Sequence, residues 1–277
     1  MRIPEQLKGA IRNIASSKNL RSQEVLQMFL FERILERLPV SRYRSNFILK
    51  GGLLISSMLG ISERTTTDMD TTVSGLQKEQ ITSIVQNILS LDVNDGIQFR
   101  FQRIEPIRGD DAYNNFRIHL GALYGKINSP MKIDITTGDE ITPAAICYDY
   151  PFLFERKSVP IMAYTLETIL AEKYETILRR NIGTTRARDF YDLHTLFCLR
   201  RDEVRPEILR QAIQHTAEKR GSTVELKEWV DILSDMKEEP ALVSLWDNYI
   251  RENTYASDFS FSEVLSTVEQ ISLLICE

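Results

Sequence analysis

The order of apolar and polar positions predicts helices and strands in alternation over the first third of the chain. Residues 1–45 carry apolar positions at helical spacing and predict a pair of helices. A short apolar strand is predicted at 47–50, and two glycines then open a helix over 51–59. The next strand is predicted at 68–73, and an amphipathic helix follows at 77–90.

Strand-like runs dominate the middle of the chain, and helices replace them later. Runs rich in β-branched and aromatic residues lie at 97–104, 116–123 and 131–136. From Leu166 onward the periodicity is helical. This order indicates an α+β fold, with a mixed or antiparallel sheet and flanking helices followed by an all-α C-terminal half.

The change of pattern also predicts two domains. The first would cover residues 1–160 and include the N-terminal helices of 1–45, and the second would cover 161–277. The boundary is expected near Val159-Pro160. A chain of 277 residues is long enough for one large domain or two modest ones.

Composition narrows the environment and the partners. Hydrophobic content of 43% and charged content of 26% are typical of a soluble globular protein, and no apolar run approaches the roughly 18 residues of a membrane span. The N-terminus lacks the apolar run of a signal peptide. Three scattered cysteines and three scattered histidines favour neither disulfides nor a zinc site, so a reducing, cytoplasmic location is expected. A net charge of −5 argues against nonspecific coating of nucleic acid but allows a local basic groove.

Two of the predicted strands carry carboxylates at positions suited to a divalent cation. Asp68 and Asp70 lie two positions apart on one predicted strand. Side chains alternate between the two faces of a strand, so both carboxylates point to the same face, with Cα atoms about 6.6 Å apart. Asp134 becomes a third oxygen ligand if its strand pairs beside the first. At about 5 Å and an effective dielectric of about 20, each pair of carboxylates repels by roughly 3 kcal/mol. A bound Mg²⁺ or Mn²⁺ would remove this repulsion. The alternative is a turn or surface strand without a metal, where an isolated D-x-D is also common.

Gly51 and Gly52 form the second element of the candidate site. Small residues at a helix N-terminus let backbone N–H groups approach a phosphate, which the helix dipole also favours. The alternative is a tight turn without a ligand. No GKS or GKT follows, so the turn is not a Walker A loop.

A third group of polar residues lies in the helical half. Lys173 sits beside the apolar face of its helix, where it either snorkels to solvent or reaches into a cleft. Asp189 and Asp192 share a helix face, where they either complement the helix N-terminus or face a ligand. The functional interpretation places Lys173 on a phosphate and Asp189 on the nucleotide or acceptor, so that the helical domain closes the active-site cleft.

Together these motifs resemble those of the AbiEii/AbiGii family of nucleotidyltransferase-like toxins, which have a DNA-polymerase-β-type core. The resemblance implies a nucleotidyltransferase-type sheet and the toxin role of a toxin–antitoxin or abortive-infection system that defends against phage. Some members transfer nucleotides from NTP to the 3′ end of tRNA, and others are described as GTP-binding. The cognate antitoxin is usually a neighbouring winged-helix repressor. The matching segments are 47–52, 64–70, 132–134, 172–173 and 186–193.

The resemblance also implies roles for individual residues. The catalytic residues that it implies are Asp68, Asp70, Lys173 and Asp189. The metal ligands that it implies are Asp68, Asp70 and Asp134. The predicted nucleotide-binding residues lie at the glycine turn, before the first aspartate and in the helical half: Lys50, Gly51, Gly52, Arg64, Thr67, Lys173 and Asp192. Thr67 departs from the family pattern, in which a serine or an acidic residue often precedes that aspartate.

The leading hypothesis is therefore a Mg²⁺-dependent nucleotidyltransferase that acts on RNA, with tRNA as the expected acceptor. Transfer to a protein or to a small molecule such as an antibiotic is an alternative, and so is a catalytically silent nucleotide-binding protein. An RNA-facing strip is predicted in the helical half, with a solvated surface as its alternative. Its candidate residues are Arg179, Arg180, Arg186, Arg188, Arg200 and Arg201.

Overall fold

The computed structural model describes residues 3–107 and 115–276. The chain divides into two compact units, which we call the sheet unit and the helical unit. The sheet unit comprises Met1–Asp139 and Ala145–Tyr164, and the helical unit comprises Glu140–Ala144 and Thr165–Glu277. Val159-Pro160, where the boundary was predicted, lies inside a strand. The two units divide after Tyr164.

The sheet unit contains four helices and seven strands within the described ranges. In chain order they are α1 (Pro4–Ser17), α2 (Ser22–Leu35), β1 (Phe47–Lys50), α3 (Gly51–Leu59), β2 (Met69–Val73), α4 (Ile81–Ser90), β3 (Gln98–Pro106), β4 (Phe116–Tyr124), β5 (Ile127–Thr137), β6 (Ile146–Pro151) and β7 (Ser158–Ala163).

The seven strands form one mixed sheet in the order β3-β4-β5-β2-β1-β7-β6. β1 is antiparallel to β2, whereas β2 runs parallel to β5 and β1 runs parallel to β7. β3, β4 and β5 are joined as successive antiparallel neighbours. The sheet with its flanking helices, followed by an all-helical part, confirms the predicted α+β fold class.

Alternation along the strands decides which side chains enter the core of the sheet unit. Met69 on β2 and Ile133 on β5 are paired and buried, so the polar residues next to them face the other way. The apolar stripe of α4, including Ile84 and Ile88, is also buried, and α4 contacts β3. Burying each such side chain stabilises the folded protein by roughly 1.5–3 kcal/mol. Because a shift of one residue would expose these side chains, their burial fixes the strand register that positions the candidate site.

The structure differs from the predicted strands at three places. β2 begins at Met69, so Asp68 precedes the strand instead of belonging to it. β5 begins at Ile127, because Gly125-Lys126 alone forms the connection to β4. The strands β6 and β7 were not predicted, and β7 takes a central position beside β1.

The helical unit follows the predicted pattern closely. Its helices are α5 (Leu166–Arg180), α6 (Ala187–Leu199), α7 (Pro206–Arg220), α8 (Thr223–Lys227), α9 (Trp229–Glu238), α10 (Pro240–Glu252) and α11 (Phe261–Cys276).

Two details of the helical unit concern where its helices begin and end. The Thr165 side chain accepts a hydrogen bond of 3.1 Å from the backbone N–H of Thr168 and so caps α5. The segment predicted as one helix at 224–236 is two helices, α8 and α9. None of the helices in the described ranges has both the length and the apolar character that crossing a membrane requires.

Candidate active site

The strand register of the sheet unit brings the predicted carboxylates together. Asp70 on β2 pairs with Lys50 on β1 and, on its other side, with Asp134 on β5. Asp134 pairs in turn with Arg117 on β4. Residues paired across neighbouring strands share a face, so the four side chains form one charged row across the sheet. The condition on which the third carboxylate depended, pairing of its strand beside β2, is met.

Gly51 lies directly against Asp70. Gly51 has a φ of +65°, a conformation that L side chains adopt at a cost, and a Cβ placed there would lie 2.7 Å from Cγ and 2.8 Å from Cβ of Asp70. At Gly52 an added Cβ would lie 2.8 Å from Oγ1 of Thr66 and 2.9 Å from an Nη atom of Arg64. The glycine turn thus permits close approach of the backbone to the carboxylate, in addition to its predicted role toward phosphate.

The surroundings of Asp70 disfavour its ionised form. Burial raises the pKa of Asp70, and the neighbouring carboxylates of Asp134 and Asp68 raise it further. Lys50 and a hydrogen bond from the backbone N–H of Gly52 oppose this pKa shift but do not overcome it. A carboxylate in such surroundings is stabilised by an added cation.

Asp134 is held by an arginine that the sequence analysis did not identify. Nε of Arg117 donates to one carboxylate oxygen of Asp134 at 2.8 Å, and an Nη atom donates to the other at 2.7 Å. Such two-point pairs are among the stronger hydrogen-bonded interactions of proteins. The hydrogen bonds to Asp134 raise the pKa of Arg117 despite its partial burial. The predicted role of Asp134 as a metal ligand stays a prediction.

Lys50 pairs with Asp139, a carboxylate that was also missed. Asp139 lies just after β5 and accepts hydrogen bonds from Lys50, from Thr136 and, at 3.0 Å, from the hydroxyl of Tyr164. Burial alone would raise the pKa of Asp139, but Lys50 and these hydrogen bonds lower it to about 2. The Tyr164 ring also lies 5.6 Å from Nζ of Lys50. Asp139 and Tyr164 thus hold Lys50 in place at the end of β1. Its predicted contact with a nucleotide stays a prediction.

We expect Asp139→Asn to lower the free energy of unfolding by about 2 kcal/mol at neutral pH, because a pKa lowered from 3.8 to about 2 corresponds to roughly 1.4 kcal/mol per pH unit. The pKa is lower in the folded state, so this contribution is complete above about pH 4 and disappears as the pH falls toward 2. Urea unfolding of both proteins across this range measures it. A stability difference that is independent of pH would contradict the assignment.

The other residues predicted near the first aspartates have different exposures. Arg64 is only 3% exposed and donates a hydrogen bond to the backbone carbonyl of Thr65. Its guanidinium lies next to Gly52, whereas Thr67 is exposed. Asp68 is half-buried, and its backbone N–H donates to Oγ1 of Thr66 at 3.4 Å. The nucleotide-binding roles predicted for Arg64 and Thr67 stay predictions.

The predicted residues of the helical unit form a compact ion cluster. Nζ of Lys173 lies 2.5 Å from a carboxylate oxygen of Asp189 and 2.9 Å from one of Asp192. Arg186 also pairs with Asp189, at 2.8 Å. Asp189 and Asp192 are buried, and Lys173 is largely so. This cluster contributes to folding whatever its role toward nucleotide, and that role stays a prediction.

Lys173→Ala is expected to lower the free energy of unfolding by about 3 kcal/mol, because it leaves two buried carboxylates without their shared cation. Lys237→Ala is the matched control, since Lys237 pairs with Glu269 at an exposed site where such a pair contributes less than about 1 kcal/mol. Urea unfolding of both variants gives the comparison. Equal, small losses would show that the buried cluster does not stabilise the helical unit.

Several arginines of the predicted RNA-facing strip are engaged in ion pairs within the helical unit. Arg179 pairs with Glu175 at 2.8 Å, Arg186 pairs with Asp189, and Arg200 pairs with Glu203. Paired arginines offer less charge to a polyanion. The strip itself stays a prediction.

The donor set of the sheet unit suits a hard cation at Asp68 and Asp70. Within residues 3–107 and 115–276, no three histidine, cysteine, aspartate or glutamate side chains are placed as a ready metal cluster. Mg²⁺, however, is commonly held by one or two carboxylates together with water and substrate phosphates. Asp68 and Asp70 fit that requirement, and the raised pKa of Asp70 favours a cation beside it.

A glycine turn that opens a helix, a carboxylate against it and a mixed sheet define the class of protein as a nucleotidyltransferase-like fold. Comparison of the sequence with known families supports this class directly. The profile described as "Nucleotidyl transferase AbiEii toxin, Type IV TA system" matches residues 33–266. The chain belongs to this family of nucleotidyltransferase toxins. A comparison with curated proteins finds no match.

Comparison with solved structures finds similar chains at low sequence identity. A proposed nucleotidyltransferase from Helicobacter pylori has a TM-score of 0.51 and 16% identity, over 92% of this chain and 96% of that chain. JHP933 from H. pylori has a TM-score of 0.47 and 15% identity, over 88% of each chain. An antigenic nucleotidyltransferase-like protein from Paracoccidioides brasiliensis has a TM-score of 0.39 and 14% identity, over 75% of this chain and 94% of that chain. The first of these similarities supports the nucleotidyltransferase fold.

Proposed function

We propose that the protein is a metal-dependent nucleotidyltransferase toxin that transfers a nucleoside monophosphate from NTP to the 3′ hydroxyl of an RNA, with tRNA as the expected acceptor. The observation that carries this proposal is the position of Asp70. It lies against the Gly51 turn and pairs in register with Asp134. The glycine turn that we propose binds phosphate therefore meets the paired carboxylates at one point of the sheet.

The proposal assigns the divalent cation to Asp68 and Asp70. Bound Mg²⁺ or Mn²⁺ would supply charge stabilisation to the triphosphate and activation to the attacking hydroxyl. The chain's own contribution is to hold these carboxylates in a half-buried place where their charges repel, so that a cation is favoured there. The predicted third ligand, Asp134, is paired with Arg117.

The glycine turn is proposed to bind the triphosphate. The first residues of α3 are Gly51 and Gly52, at a helix N-terminus, and the backbone N–H of Gly52 also donates to Asp70. N–H groups there are unpaired within the helix and attract anions, and the absence of side chains lets phosphate oxygens approach. Lys50, at the end of β1, adds a positive charge next to this turn.

The transfer step would proceed in line at the α-phosphorus. The 3′ oxygen of the acceptor forms a new bond to the α-phosphorus, and the bond from that phosphorus to the bridging oxygen of the β-phosphate breaks. Pyrophosphate leaves with the bonding electron pair. The hydroxyl proton passes to a carboxylate of the cluster formed by Asp68, Asp70 and Asp134. Positioning and electrostatic stabilisation supply most of the catalysis in reactions of this type.

Membership in a toxin–antitoxin family supports the biological part of the proposal. Modification of tRNA 3′ ends would arrest translation and growth, in keeping with a role in abortive infection and phage defence. The partners proposed are NTP, tRNA and a cognate antitoxin, of which a winged-helix repressor encoded nearby is the expected kind. The proposed location is the cytoplasm, where both substrates are found.

Labelling of a whole-cell lysate separates the candidate acceptors. Purified protein is incubated with lysate, Mg²⁺ or Mn²⁺ and each of the four α-labelled NTPs, and the products are resolved into RNA, protein and small molecules. We expect label in RNA of tRNA size. Label in protein or in small molecules would replace the RNA acceptor, and no label with any NTP would overturn the catalytic proposal.

A further inference from the structure

One face of β3, β4 and β5 is open and carries a concentration of basic side chains. On β4 and β5 the alternate residues Ile118, Leu120 and Ile133 are buried, so the residues between them face outward. We call this outward surface the β3–β5 face. Its basic residues are Arg100, Arg103, Arg117, His119 and Lys132, and its acidic residues are Glu105 and Asp134.

Strand pairing places these residues in adjacent rows. Arg103 pairs with His119, and His119 pairs with Lys132. The next row toward the carboxylates of β2 contains Arg117 and Asp134. Rows two residues apart along a strand are separated by about 6.6 Å, and neighbouring strands by about 4.8 Å. The basic side chains are therefore spread continuously over three strands, in a protein whose net charge is −5.

Two of the basic residues keep their charge available. Arg100 and Lys132 are exposed, and neither side chain forms an ion pair with a described residue. In contrast, Glu105 holds Arg103 at 3.2 Å and His119 at 2.6 Å. The available positive charge of the β3–β5 face thus lies at Lys132 on β5, one row from Asp134, and at Arg100 on β3, one row farther along.

The position of the β3–β5 face fits the acceptor rather than the NTP. In the sheet order β3-β4-β5-β2-β1, the glycine turn follows β1 on one side of β2, and the β3–β5 face begins on the other side. In an in-line displacement the attacking hydroxyl and the leaving pyrophosphate lie on opposite sides of the phosphorus. If the triphosphate binds at Gly51-Gly52, the acceptor reaches the carboxylates from the side of β5.

We propose that the β3–β5 face binds the ribose-phosphate backbone of the acceptor RNA strand that leads to its 3′ end. The proposal rests on the proposed function and adds the place where the acceptor lies. Phosphates of the strand are contacted by Lys132, nearest the carboxylates, and by Arg100, farther along the face. Contacts to phosphate position a nucleic acid without reading its bases, as a sheet face of arginine and lysine would do.

The test is binding of a 5′-fluorescein-labelled single-stranded oligoribonucleotide with a free 3′ hydroxyl, measured by anisotropy over a series of salt concentrations. The double variant Arg100→Gln, Lys132→Gln removes the two available charges without adding new ones. We expect its Kd to rise about tenfold or more at low salt. The slope of log affinity against log salt should fall by about 1.4, since each single-strand phosphate contact contributes about 0.7.

The control is Arg156→Gln, an exposed arginine between β6 and β7 at the opposite edge of the sheet, which should leave Kd and slope unchanged. Thermal shift with NTP and Mg²⁺ shows whether the double variant still binds nucleotide, as we expect. If wild-type protein binds RNA and the double variant binds it equally well, the RNA-binding role proposed for the β3–β5 face is wrong, and the proposed function stands. If wild-type protein neither binds RNA nor labels it, the RNA acceptor fails and the face fails with it.

Discussion

Asp70→Asn is expected to abolish nucleotide transfer while the protein keeps its fold. Among the residues that the structure describes, Asp70 is the one carboxylate that both borders the glycine turn and pairs with Asp134, so the proposed cation depends on it. A metal contributes several kcal/mol of transition-state stabilisation, and each 1.36 kcal/mol is tenfold in rate, so the loss should reach about 10³-fold or more. The measurement is the initial rate of label transfer from α-labelled NTP.

The matched control for this variant is Asp149→Asn, which removes an exposed carboxylate from β6 of the same sheet. It should transfer label at the wild-type rate. Burial raises the pKa of Asp70, so its ionised form is unfavourable in the folded protein without metal. The melting temperature of Asp70→Asn measured without metal should therefore not fall. Near-normal transfer by this variant would remove Asp70 from the active site.

Gly51→Ala is expected to reduce transfer about 10²-fold or more, because its methyl group needs the space that Asp70 occupies. An added Cβ would lie 2.7 Å from Cγ of Asp70, so the carboxylate must move. A displacement of about 1 Å in an active site can cost 10²-fold in rate. The positive φ adds roughly 1–2 kcal/mol of backbone strain. Transfer rate and urea unfolding are measured on the same preparation.

Gly221→Ala separates the two effects of this substitution. Gly221 ends α7 with a φ of +69°, close to that of Gly51, but no atom lies within 4 Å of an added Cβ. Both variants should lose similar backbone stability, and only Gly51→Ala should lose transfer. If the two variants kept the same activity, the close approach of Gly51 to Asp70 would have no catalytic consequence.

The parts of the site that depend on local sequence were predictable. A strand that ends in two glycines needs only neighbouring residues to define it, and β1 and α3 begin where the pattern placed them. The cap of α5 is also local, since the Thr165 side chain accepts from the backbone N–H of Thr168 three residues on. Local hydrogen bonding and hydrophobic periodicity decide such features, so they can be read without knowing the rest of the fold.

Arg117 was missed because the predicted connection between β4 and β5 was too long. The predicted strand began at Met131, whereas the two-residue turn Gly125-Lys126 joins Tyr124 directly to Ile127. Turn length fixes hairpin register, so a two-residue turn at that point would have placed Arg117 opposite Asp134. The glycine, with a φ of +56°, was the available signal.

Asp139 and its partners could not be found in this way. Asp139 meets Lys50 from 89 positions away in the chain and Tyr164 from 25 positions away. The contact with Tyr164 depends on β7 lying parallel to β1, and that strand had no clear pattern in the sequence. The contact with Lys50 depends on β5, β2 and β1 lying side by side. Pairings between distant strands are set by the packing of the whole sheet, which periodicity along one strand does not contain.

The most direct test of the central claim compares the fate of two phosphorus atoms of the same NTP. Purified protein is incubated with tRNA, Mg²⁺ and NTP labelled either at the α- or at the γ-phosphate. The account predicts that α-label appears in RNA at its 3′ end and that γ-label appears only in pyrophosphate. Label from the γ-phosphate on any acceptor, or its release as free phosphate without transfer of α-label, would contradict a nucleotidyltransferase.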